Sequence, residues 1–159
     1  MPWQPKSSVT VTDIQVFARG DAKGFMAEMD AVIFQFPLMT DYYKMTANKL
    51  LNIKMYDDAY PYLAESYNKR NDAFSCKWLG IIDLSKRKVK SAIKYLEESL
   101  IFYSGDAQVL FNLAGAYSLD EQYRKGLDTI NRCLRINPKF NGAKGLQSQL
   151  QNILMNQNR

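Results

Sequence analysis

Side-chain chemistry needs nucleophiles, acid–base groups or metal ligands at workable spacing, and this chain offers few. It contains no histidine. That removes the Ser-His-Asp and Cys-His nucleophile arrangements and every histidine-containing metal site. Its thiols, Cys76 and Cys133, lie far apart and form no Cys-x-x-Cys pair, so neither a zinc knuckle nor a disulfide framework is supported. Both stand among apolar neighbours at helical spacing, the setting of a buried free thiol. The chain is therefore expected to be non-catalytic, with no cofactor and no metal.

The charge balance narrows the partners. Lys plus Arg number 21 against 16 Asp plus Glu, a formal charge of +5, but the two signs alternate along most of the chain. Lys86-Arg87-Lys88 with Lys90 is the one dense basic run. No base-reading motif accompanies it, so a solvated turn is the better reading and no nucleic-acid partner is expected. The longest apolar stretch, Ala31 to Met39, is interrupted by Gln35 and Pro37 and falls far short of the roughly 20 residues that span a bilayer. Met1-Pro2-Trp3-Gln4-Pro5 carries no basic leader pattern and no apolar run follows it. A soluble polypeptide of unknown compartment is expected: cytoplasmic or, as a fragment of a larger protein, periplasmic or in the envelope.

The elements that would position these side chains are helical over most of the length. At 159 residues, 47% apolar, the chain suits one domain or a short array of stacked units. Residues 1–20 are the exception. Val9, Val11, Ile14 and Val16 alternate with polar residues, as in an extended arm or linker with one short strand. From Asp21 to Phe36 the pattern turns helical, with Phe25, Met29, Val32, Ile33 and Phe36 at three- and four-residue steps before Pro37.

Self-comparison carries the most information. A shift of 34 places Leu79 on Leu113, Gly80 on Ala114, Ala92 on Gly126, Leu96 on Ile130 and Ser99 on Cys133. A shift of 33 places Ala47 on Gly80, Ala59 on Ala92, Leu63 on Leu96 and Ser66 on Ser99. Three units follow, 40–72, 73–106 and 107–140, each with two helical patterns joined by a turn too short for anything but antiparallel neighbours. Asp41, Asp72 and Asp106 lie where each first helix should begin and are expected to cap it. Pro61 falls in the early turns of a second helix, where it is expected to be tolerated. Beyond Pro138, Ala143, Leu146, Leu150, Ile153 and Leu154 pattern a final capping helix within 141–159, while 21–39 could be the second helix of a degenerate earlier unit.

This period and this order of small and large residues resemble the tetratricopeptide repeat (TPR). The third unit shows it best, with Leu110, Leu113, Ala114, Tyr117, Gly126, Ile130 and Pro138 at the family positions. The other units depart at Thr46, Asn71, Asp83 and Ser104. The resemblance implies an all-α, right-handed solenoid of antiparallel helix pairs whose first helices line an inner groove. Inward positions would be Lys44, Asn48 and Leu51, then Phe74, Lys77, Trp78 and Ile81, then Phe111, Asn112 and Ser118. Trp78 is either a half-exposed anchor for a partner or a packing residue between units. Lys44, Asn48, Lys77 and Asn112 could hold a peptide's backbone or carboxylates.

One family sub-type clamps the acidic tails of chaperones. Lys44 and Asn48 match its opening pair, but Trp78 replaces the next Asn, and Gln108 and Asn112 replace its two basic residues. Chaperone-tail recognition is thus not implied. The function expected is a protein–protein interaction module taking a protein or peptide segment. The alternative is a C-terminal appendage of a larger enzyme or envelope protein, docking on its parent domain or an assembly partner. The apolar stretch from Phe25 to Phe36 could also pair copies of the chain. RNA binding by a related repeat is disfavoured by the 34-residue phase and the absence of a basic inner line.

Overall fold

The structure, a computed structural model, describes residues 21–157; the arm expected over residues 1–20 lies outside them. Among the described residues there are eight helices and no strand: α1 (Ala22–Gln35), α2 (Thr40–Asn52), α3 (Tyr56–Lys69), α4 (Ala73–Ser85), α5 (Val89–Phe102), α6 (Ala107–Leu119), α7 (Tyr123–Ile136) and α8 (Ala143–Gln157). Helices α2 and α3, α4 and α5, and α6 and α7 pack as hairpins, and α8 packs on α7. The array is the all-helical solenoid that the repeat pattern implies.

Each hairpin turn uses one device three times. Lys54, Arg87 and Glu121 all adopt positive φ, at 63°, 61° and 61°. Their amides donate to Leu51, Leu84 and Ser118, and the next amides, of Met55, Lys88 and Gln122, reach back to Leu50, Asp83 and Tyr117. That pair of bonds is a Schellman closure, which satisfies the last carbonyls of the first helix while the second begins at once. The helix starts are less uniform. Asp72 accepts from the Ser75 amide at 2.9 Å, and Asp106 accepts from Gln108 and Val109 at 3.0 and 3.1 Å. Asp41 does not cap: the α2 cap position is Met39, which has no side-chain bond, and Asp41 sits inside the first turn, where its charge still favours the helix dipole. Pro61 lies sixth in α3, past the orphan amides, so the helix runs through it one hydrogen bond short on an exposed face.

Close approach between the two helices of a unit explains the small residues. A Cβ built on Gly80 would lie 2.6 Å from Leu96 Cγ, and one on Gly126 would lie 3.3 Å from the Ala114 carbonyl oxygen. Ser99 donates to the Ala73 carbonyl at 3.1 Å, and Cys133 in the same register donates to Ala107 at 3.2 Å. The core runs along the stack as three apolar clusters. Tyr43, Leu50, Leu63 and Leu79 join the first two units. Leu96, Val109 and Leu113 join the second and third, and Leu110, Ile130 and Leu150 join the third to α8. Each cluster straddles neighbours, so no hairpin holds a core of its own.

Asp83, at a family departure, is fully buried. It accepts from the Ser91 hydroxyl, and the Lys88 ammonium lies 4.0 Å from its other, otherwise unpartnered oxygen. In α1, Phe25 and Met29 are buried, which leaves Phe34 and Phe36 as the exposed part of the face expected to pair copies.

Candidate interaction groove

By the register of the repeat, Lys44, Lys77 and Phe111 form one row along the first helices α2, α4 and α6. Each reaches the start of the next first helix. Lys44 lies 3.6 Å from Asp72 and 3.3 Å from Asp41, and Lys77 lies 2.8 Å from Asp106. In the third unit the partner position is Phe140, and the Phe111 and Phe140 rings stack with centroids 5.2 Å apart. Lys44 and Lys77, expected to hold partner carboxylates, thus already neutralise carboxylates of their own chain. The register that aligns Lys44 with Lys77 and Asp72 with Asp106 also aligns Phe111 and Phe140, so the sequence contained the signal for this row of joints.

The neighbouring rows are less committed. Asn48 is exposed, Ile81 is half-buried, and Gly115 stands in the same register with no atom within 4 Å of an added Cβ. Gly115 was missed as an inner position because a glycine offers no side chain to assign. Trp78 is half-buried and packs against the first core cluster, as does Phe74, while Ile81 packs against the second. Asn112 donates to the Gln108 carbonyl one turn back at 2.8 Å. Ser118 is half-buried, and Leu51 is buried in the first cluster, so it lines core instead of groove.

Among the described residues, burial and hydrogen bonding hold the two thiols and several tyrosine hydroxyls in their neutral forms. Burial pushes the Cys76 thiol up to about 12, with the charges of Glu98 and Asp72 adding to the shift, and burial alone raises Cys133. Neither supplies a thiolate near neutral pH. The Tyr67 hydroxyl donates to Glu98 at 2.8 Å, and that bond, with burial, holds its pKa at about 12. No group of three His, Cys, Asp or Glu side chains among the described residues could hold a metal ion. No helix there is long and apolar enough to cross a membrane.

No protein-family model matches the sequence, and no curated protein matches it. Solved structures do resemble the fold. The crystal structure of MamA superposes with a TM-score of 0.75 at 17% identity, over 91% of each chain. YrrB, described as a TPR protein with an unusual peptide-binding site, superposes at 0.78 with 13% identity, over 91% of this chain and 75% of its own. The first TPR domain of Spaghetti (RPAP3), bound to an HSP90 peptide, reaches 0.65 at 13% identity over 73% of this chain and 93% of its own. Three hairpins in phase, joined by clusters that straddle neighbours and matched in shape by these proteins, give the chain the tetratricopeptide-repeat fold.

Proposed function

We propose that the chain is a non-catalytic protein–protein interaction module that takes a peptide or helical segment of a partner along the inner face of its first helices. The observation that carries this reading is the row Asn48, Ile81 and Gly115, which stays at least partly exposed along the stack and ends at the third unit in open space, with no atom within 4 Å of an added Cβ. Beside it, Trp78 supplies a partly exposed aromatic surface of the kind enriched at interface hot spots. YrrB and RPAP3 are peptide binders by description, which supports a peptide or protein as the occupant.

Selection of a displayed peptide library on the whole chain tests the reading. Peptides enriched on the native chain should lose binding to a Gly115→Arg variant, whose new side chain enters open space and should not lower the melting temperature, since replacing a glycine inside helix α6 favours the helix. Trp78→Ala should weaken capture without unfolding the domain. Peptides that bind the Gly115→Arg variant equally well would remove the groove as their site, and a large fall in melting temperature for Trp78→Ala would assign that indole to the core.

A further inference from the structure

Antiparallel hairpins in series have two edges. One carries the turns inside each unit, and the other carries the connections from each second helix to the next first helix. Twelve large apolar side chains are exposed among the described residues, and eight of them stand at the connection edge. Phe34 stands in the last turn of α1, and Phe36, Leu38 and Met39 follow in the α1–α2 connection. Ile101, Phe102 and Tyr103 end α5, and Ile136 ends α7. Phe34, Leu38 and Ile101 are 86%, 83% and 81% exposed, so they protrude into solvent instead of lining a concavity.

The charges of this edge are equally one-sided. Asp41, Asp72 and Asp106 are each paired with Lys44 or Lys77 of the first helices. Arg70, Arg135 and Lys139 are exposed and make no ion pair among the described residues. At the turn edge Lys86 meets Asp57 at 2.5 Å and Lys90 meets Asp120 at 2.8 Å, while Lys54, Arg87, Arg124 and Lys125 are exposed without an ion pair among the described residues. The turn edge is therefore basic too, and what sets the connection edge apart is its protruding apolar tips beside the free cations.

We propose that the connection edge docks on an anionic lipid surface. Protruding aromatic and aliphatic tips suit the boundary between headgroups and acyl chains, and free basic side chains beside them are complementary to lipid phosphates and carboxylates. A protein partner would need a surface shaped around separated, nearly fully exposed tips, whereas a bilayer accommodates them individually. The edge uses none of the inner-row residues, so this docking is independent of peptide capture.

Co-sedimentation of the whole chain with vesicles decides the matter, comparing phosphatidylcholine–phosphatidylserine vesicles with phosphatidylcholine alone. Retention should require phosphatidylserine. It should fall at least about a hundredfold for Arg70→Glu/Arg135→Glu/Lys139→Glu at low salt, and vanish for Phe34→Ser/Leu38→Ser/Ile101→Ser. Those positions are exposed, so melting temperatures should not move. Arg87→Glu on the opposite edge should bind as the native chain does, and so should the Gly115→Arg groove variant. The proposal fails if phosphatidylserine vesicles leave the chain in the supernatant, or if Arg87→Glu weakens retention as much as the connection-edge reversals do. It fails equally if the serine variant abolishes a concentration-dependent dimer in ultracentrifugation while the native chain ignores vesicles, which would assign the edge to a second copy.

Discussion

The second and third joints of the inner row stand in the same register and are built from opposite chemistry. Lys77 and Asp106 make an ion pair at 2.8 Å, with both side chains about four-fifths buried. Phe111 and Phe140 make an aromatic stack in the equivalent place. The repeat phase determines where a joint falls, and the side chains determine what holds it. The charged joint also touches a helix terminus, because Asp106 caps α6 with the same carboxylate that meets Lys77. The aromatic joint ties the α7–α8 connection back onto α6, so it secures the capping helix on which the end of the stack depends.

Breaking the aromatic joint should have the largest effect. Phe111 packs against the third core cluster as well as Phe140. Phe111→Ala is expected to cost about 2 kcal/mol, below the range for a fully buried ring because the side chain is half-buried. Urea unfolding should show this loss undiminished in high salt. A salt-sensitive loss would mean that the ring's contribution is not apolar and would undo the contrast between the joints.

Gly142 tests the same joint from below. Its φ of 79° is in the left-handed region, and an added Cβ would lie 3.3 Å from Phe111 Cζ. Gly142→Ala therefore combines backbone strain with a push on the ring, and about 1–2 kcal/mol of destabilisation is expected. Gly145, where an added Cβ meets nothing within 4 Å, is the control: within helix α8 its change to Ala should stabilise slightly through helix propensity.

Lys77→Ala addresses the charged joint. About 1 kcal/mol is expected, at the upper end for ion pairs that keep some contact with water, since Asp106 retains its amide partners after the lysine is gone. The loss should shrink in 1 M salt, where screening acts over about 3 Å. Thermal melts of both proteins at low and high salt measure the difference directly.

These joints also show what could be read from the sequence and what could not. The hairpins, their order and the small residues at close approaches were legible because packing between Gly80 and Leu96, or Gly126 and Ala114, leaves a repeated size pattern. The left-handed turn residues were not, since Lys54, Arg87 and Glu121 share a conformation but no side-chain chemistry and none is glycine. Asp41 misled because an acidic residue near a helix start suits either a cap or the first turn, and only the backbone of Met39 and Thr40 separates the two. In the groove, residue type suggested free lysines. Their pairing with Asp72 and Asp106 depends on the rise from one unit to the next, a spatial relation that periodicity implies only once both partners are placed in register.

The smallest expected effect belongs to the first joint. Lys44 lies 3.6 Å from Asp72 and is shared with Asp41, a side chain 83% exposed. Its geometry is looser than that of Lys77, and one of its partners is well solvated. Lys44→Ala should therefore cost only about 0.3 kcal/mol, close to the floor for solvated ion pairs. The pair Lys44→Ala and Lys77→Ala should be additive, because the two lysines contact different carboxylates. If the first joint instead proves as strong as the second, the 2.8 Å approach and deeper burial at Lys77 are not what distinguishes them, and the ranking of joints by geometry collapses.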